Sequence, residues 1–222
     1  MNEVSVIVTE DGSSSLIQNG MNETYHSIHG ALQESQHVFI NSGLKPILEA
    51  NKKEVSILEI GLGTGLNALL TFIATQPADV KVYYEAIEAY PLSTETVSLL
   101  NYPVILNAAS PFAAIHTCAW NVANEISPHF HLHKRAIKIE EALLAPEKFD
   151  LVYFDAFAPN KQPEMWEHGV LSKVVNAMKK QGVFVTYSAK GQLKRYLISL
   201  GLSVEKLPGP PGKREMIRAV KD

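Results

Sequence analysis

Two short stretches hold the residues best suited to chemistry. The first is Leu58-Glu59-Ile60-Gly61-Leu62-Gly63-Thr64-Gly65-Leu66-Asn67, in which an acid and three alternate glycines join an apolar run to an amphipathic segment. That is the pattern of a buried strand turning tightly into a helix. Glycines there let the backbone approach a ligand, and the helix start offers unpaired N–H groups. A dinucleotide fingerprint needs its third glycine where Leu66 stands, so the spacing disfavours a nicotinamide oxidoreductase. The Lys-Ser/Thr of a triphosphate loop is also missing. The second stretch is Phe154-Asp155-Ala156-Phe157-Ala158-Pro159-Asn160-Lys161-Gln162-Pro163-Glu164-Met165-Trp166. It sets one carboxylate, Asp155, at the start of a proline-stiffened loop between two aromatics. A solvated turn does not need Phe157 and Trp166, so the loop reads as the wall of a pocket.

The elements that must position these residues follow from periodicity. Apolar runs predict strands at 55–60, 80–87, 136–139, 149–154 and 183–187. Helical spacing alternates with them at 66–75, 93–101, 112–120, 163–180 and 191–200. This alternation means a parallel sheet with helices on both faces. Strands at 4–8 and 14–17 around Asp11-Gly12 form a hairpin, and helices at 26–40 and 44–51 are separated at Gly43. Residues 1–52 thus form a small cap on a domain of 53–222. A last antiparallel hairpin pairs 203–207 with 215–220.

In an open parallel sheet the ligand lies across the carboxyl ends of the strands. The second strand ends in Glu85-Ala86-Ile87-Glu88, and an acid there accepts ribose hydroxyls. Glu88 has the expected separation from the glycines, and Glu85 is the alternative. The third ends at Glu140-Glu141. Either acid suits an adenine amino group, and either suits the positive end of a helix. His129, His131 and His133 alternate, which would put them on one strand face, but no acid or cysteine cluster nearby completes a metal site. Cys118, the single cysteine, excludes an internal disulfide and reads as packing beside Trp120.

The chain has 222 residues, enough for one domain with a real core, and no apolar run of membrane-spanning length. With no signal peptide either, a cytoplasmic location is expected. Net charge is −3, but it is polarised. From Lys173 onward there are 11 Lys and Arg against 3 Asp and Glu, while the first 172 residues carry 9 against 20. Such a chain presents a cationic face to a phosphate backbone, or simply solvated helix faces.

The Glu-x-Gly-x-Gly-x-Gly loop resembles the nucleotide loop of class I S-adenosylmethionine-dependent methyltransferases. The 155–166 segment resembles a narrower signature, Asp-Gly/Ala-Phe-Ala-Pro-x-x-x-Pro-x-Met/Leu-Trp. It belongs to the methyltransferase domain of the bifunctional tRNA 5-methylaminomethyl-2-thiouridine biosynthesis proteins and their stand-alone relatives. The segments at 29–40, 61–67, 88–92, 186–191 and 212–216 are similar to that family in the same order, so the likeness covers nearly the whole chain. Where the family commonly has Gly-Asp, this chain has Glu140-Glu141. The family's oxidase domain is expected to be missing, since the sequence stops at Asp222.

The resemblance implies a class I, Rossmann-like α/β fold and S-adenosyl-L-methionine as cofactor. It implies methylation of the amine of 5-aminomethyl-(2-thio)uridine at the tRNA wobble position, with other enzymes supplying that nucleoside. A small-amine acceptor, another nucleic acid, or a non-catalytic module are the alternatives. Asp155 is expected to hold the amine and take up its proton. Glu59, Gly61, Gly63, Thr64, Gly65, Asn67, Glu88 and Glu141 are expected around the cofactor. Phe157 and Trp166 are expected against the turned-out base, and Lys190, Lys213 and Arg214 on tRNA phosphates. Neither a metal nor a membrane is expected as a partner.

Overall fold

The computed structural model describes residues 4–222. Strand β1 (Val4–Val8) pairs antiparallel with β2 (Ser14–Gln18) across the Asp11-Gly12 turn, as expected, and a short β3 (Glu23–Thr24) extends this sheet. The Asp11 carboxylate then accepts from the backbone N–H of Gln33 at 3.0 Å, so the hairpin turn caps the next helix from outside.

That helix departs from expectation. Residues 25–29 are not helical; they run past the glycine loop as irregular chain. Helix α1 (Ala31–Ser35) passes directly into a π-helical stretch (Gln36–Leu44) and on into α2 (Lys45–Glu49). Gly43 therefore breaks nothing. A Cβ built on it would lie 2.9 Å from Val185 Cγ2, so the glycine lets the wide helix lie directly on the sheet.

The main sheet has eight strands. Its first members are β4 (Glu54–Ile60), followed by helix α3 (Leu66–Thr75), and β5 (Lys81–Glu88). The predicted helix at 93–101 is the shorter α4 (Thr94–Ser98); α5 (Tyr102–Ile105) and α6 (Ala109–Thr117) come next. Strands β6 (Ala123–Ser127) and β7 (Phe130–Ala136) form a hairpin. The third parallel strand is thus β7, six residues earlier than expected. Lys134 explains the miss. It is 1% exposed, its Nζ donating to the carbonyl of His116 at 2.8 Å, so a residue that reads as solvent-facing is a core position.

Strand β8 (Phe149–Phe154) is where it was expected. The expected long helix at 163–180 is a 3-10 turn (Pro163–Trp166) and α7 (His168–Ala177). Strand β9 (Met178–Thr186) already begins where that helix was expected to continue. Helix α8 (Gly191–Ser199) and the antiparallel pair β10 (Leu202–Pro208) and β11 (Glu215–Lys221) complete the fold.

The strand order is β10-β11-β9-β8-β4-β5-β7-β6, with β9, β8, β4, β5 and β7 parallel. The central strands are apolar on both sides. Ile57, Leu151 and Tyr153 enter one buried cluster with α3 and the π-helical stretch. Their neighbours Leu58, Val152 and Phe154 enter another with α7 and α8. Helices consequently cover both faces. No helix among the described residues is long and apolar enough to cross a membrane.

Candidate active site

All five parallel strands, β4, β5, β7, β8 and β9, deliver their ends to one cavity of about 720 Å³. Gly61, Gly63 and Thr64 line it after β4, Glu88 at the end of β5, and Asp155, Ala156 and Phe157 after β8. Gly61 has φ +89°, and a Cβ on it would lie 2.6 Å from the carbonyl oxygen of Asp155. The loop needs glycine there because two strand ends touch through bare backbone.

Glu88 accepts from the N–H of Gly63 at 2.9 Å and of Tyr90 at 2.8 Å. Burial pushes its carboxyl above the usual range, against the pull of those backbone donors. The carboxylate is held in place with lone pairs left over for further donors. Glu59 is different. It is fully buried under the loop and outside the cavity lining. Asn67 Nδ2 bridges it to Asp155, at 3.0 Å from Glu59 Oε1 and 2.9 Å from Asp155 Oδ2. Burial, then the charge of Asp155, holds Glu59 well above the usual carboxyl range. Glu59 and Asn67 are positioning residues for Asp155.

Asp155 itself is half-buried in the cavity wall. Burial first, and then the nearby charge of Glu34, raises its pKa to about 7; the Asn67 hydrogen bond and Lys213 work in the other direction. A carboxyl that changes charge near neutrality is suited to receive a proton from an amine and release it again.

The other sequence-selected residues divide. Phe157 lines the cavity and meets Tyr25 edge-to-face at 5.0 Å between centroids. Trp166 is buried behind it, donating Nε1–H to the Phe157 carbonyl at 2.8 Å and packing on Phe154 at 4.9 Å. It stiffens the loop and offers no free face to a base. Gly65 is the left-handed residue that starts α3, at φ 71°, and stands back from the cavity. Glu141 is exposed and outside the lining, whereas Glu140 belongs to it. The shifted third strand is the reason: after β7 the chain crosses the cavity rim at 137–140 and turns away. Lys190 and Arg214 are exposed. Lys213 is partly exposed, and its Nζ pairs with the buried Glu34 inside the cavity and lies 4.0 Å from the centroid of the Tyr187 ring. His129 pairs with Asp79 at 3.4 Å and His131 stacks on Tyr83, on the far edge of the sheet.

Residues 23–29 and Glu34 were missed as site residues, and so was Tyr187. His26 Nε2 and the Thr64 hydroxyl are 2.8 Å apart, and burial lowers the imidazole to about 4, which keeps it neutral. Nothing local marked these positions. Residues 23–34 are brought in by long-range packing over the glycine loop, and Tyr187 by the end of β9.

Comparisons with known proteins bear on the fold and on the family. Residues 123–222 match a family of S-adenosyl-L-methionine-dependent methyltransferases. The chain is 30% identical, over 212 residues, to the tRNA 5-methylaminomethyl-2-thiouridine biosynthesis bifunctional protein MnmC of Magnetococcus marinus, covering 88% of this chain and 31% of that protein. The Leptospira borgpetersenii protein of the same name is 29% identical, with 90% and 32% covered. The chain thus spans about a third of the length of the curated relatives it matches. Among solved structures, MNMC2 from Aquifex aeolicus superposes with a TM-score of 0.78 at 25% identity, covering 99% of this chain and 70% of that one.

Proposed function

We propose that the chain is an S-adenosyl-L-methionine-dependent methyltransferase and that it methylates the amine of 5-aminomethyl-(2-thio)uridine at the wobble position of tRNA. One observation carries this reading: Asp155, poised to titrate near neutrality, shares a cavity wall with the glycine loop and Glu88. The names of the relatives supply the acceptor.

The residues present fit the cofactor. The cavity volume suits a nucleoside-sized ligand. Glu88 would take the ribose hydroxyls, the backbone of Gly61, Gly63 and Thr64 would lie along the adenosyl group, and Ile139 and Glu140 would flank the base. When bound, S-adenosylmethionine supplies an electrophilic methyl group on positively charged sulfur. The chain's own work is on the acceptor. An alkylammonium has no lone pair, so a proton must leave before nitrogen can attack. The Asp155 carboxylate takes that proton, becoming the neutral acid as the ammonium becomes the free amine, and passes it to solvent afterwards. Asn67 fixes the carboxylate oxygen that does this. Tyr25 and Phe157 form the aromatic surface for a base turned out of the anticodon loop. Lys190 and Arg214 serve as phosphate contacts, and the cytoplasm is where such a substrate resides.

The test is transfer of labelled methyl from S-adenosylmethionine to tRNA from cells unable to complete the modification, followed by nucleoside identification. Label in the methylaminomethyl nucleoside supports the proposal. Label on a small amine, or elsewhere on the tRNA, overturns it. Binding should also weaken steeply with salt, and less steeply once Lys190 and Arg214 are reversed in charge.

A further inference from the structure

The acceptor side of the cavity contains an ion pair that the proposed reaction does not use. Glu34 is 5% exposed. Its Oε2 accepts from the N–H of Ser27 at 2.7 Å, and its Oε1 pairs with Lys213 Nζ. The same Nζ lies over the ring of Tyr187, whose hydroxyl donates to the carbonyl of Ala156 at 2.8 Å. The ring is thereby tied to the residue next to Asp155. A carboxylate beside an aromatic face is the chemistry that recognises an alkylammonium. The end of a lysine side chain is itself an alkylammonium, with three donors on tetrahedral nitrogen.

Resting on the acceptor class proposed above, we propose that Glu34 and the ring of Tyr187 form the subsite that receives the acceptor's alkylammonium, and that Lys213 holds this subsite as a stand-in cation until the acceptor displaces it. Lys213 is built for the exchange. Its backbone is fixed in the 208–214 turn, where its N–H donates to the carbonyl of Pro210 at 2.9 Å and that of Gly209 to the carbonyl of Arg214 at 3.1 Å. The four-carbon stem can swing while that turn stays in place. A buried carboxylate that loses its partner must find another cation, so a neutral group, such as a hydroxymethyl, is refused. The ammonium arrives at Glu34 charged, in the form that predominates in water, and is held beside the carboxylate that removes its proton.

The experiment compares full-length wild type, Lys213→Met, Glu34→Gln and the double variant. Each is assayed for methylation of tRNA carrying 5-aminomethyl-uridine and for S-adenosylmethionine binding by calorimetry. Lys213→Met should lower KM for the tRNA at least threefold. It should also make n-propylammonium an inhibitor at concentrations at least tenfold lower than for wild type. Glu34→Gln should raise that KM at least tenfold, with cofactor affinity unchanged. The double variant, which leaves no uncompensated charge, guards against misfolding and should keep the raised KM. A rise in KM in Lys213→Met with a shallower salt dependence would make Lys213 a phosphate contact and overturn the proposal. So would a change in melting temperature alone in either single variant, the mark of a structural strut. If wild type does not methylate this tRNA, the acceptor reading fails first, and n-propylammonium binding to the cofactor-loaded variants still decides the subsite.

Discussion

Asp155→Asn should make the protein more stable and inactive at once, and the two effects should separate with pH. Burial raises the Asp155 carboxyl to about 7. Unfolded, it titrates at about 3.9. The folded state therefore holds this proton more tightly, and between those values stability falls as pH rises. At about 1.36 kcal/mol for each tenfold change in proton affinity, the full cost of ionising Asp155 in the native site is roughly 4 kcal/mol. The side chain is half-exposed to water in the cavity, so about 2 kcal/mol is the fairer figure. Asparagine has the same shape and keeps an acceptor for Asn67, so at pH 8 the variant should gain about that amount. For a domain of this size this is about 4–8 °C in melting temperature. At pH 4 the wild-type carboxyl is already protonated in the folded protein and the gain should vanish. Thermal melts of both proteins across this range, without ligand, are the assay. A gain that is the same at pH 4 and pH 8, or none at pH 8, would show that the site does not raise the Asp155 pKa. The proton-acceptor role would then lose its basis. Near-normal methyl transfer by the variant would remove that role outright.

Other outcomes follow from the same geometry. Asn67→Ala removes the hydrogen bond that favours the charged form of Asp155, so the pH midpoint of turnover should move up, with activity at pH 7 down about tenfold, measured in single-turnover methylation. Glu88→Ala should weaken S-adenosylmethionine binding by about 1–3 kcal/mol in calorimetry, while tRNA affinity in the absence of cofactor stays as it was. Gly43→Leu must overpack the contact with Val185, Leu151 and Tyr153 and should cost about 1–3 kcal/mol in denaturant melts. Gly169→Ala, where a Cβ meets open space within a helix, should be neutral or slightly stabilising by the same measurement.

What could be read from the chain in advance was what local chemistry specifies. The glycine loop, β4, α3 and β8 are dense in short-range signals: a continuous apolar run, alternate glycines, an amphipathic turn. They lie where expected, and with them Asp155 and Glu88. Misreadings arose where a residue's surroundings are supplied from far away. Strand β7 was expected at 136–139 and begins at Phe130, because Lys134, which reads as solvent-facing, is buried against α6. Pattern alone could not reveal that the chain widens into a π-helical stretch at 36–44 because Gly43 sits on the sheet. Glu34 looked like any solvated helix acid, because its partner lies 179 positions away. Trp166, expected as pocket wall against the base, is buried behind the loop, its indole N–H turned toward the loop's own backbone.

The long span between Glu34 and Lys213 has a consequence for how the protein matures. The groups placed for the adenosyl group come from one stretch, 60–88, and from the strands beside it. The Glu34–Lys213 pair needs the first helix and the β10–β11 turn together, because each supplies one half of a charged pair that neither can bury alone. A folding chain therefore cannot bury this pair until the β10–β11 turn has met the first helix.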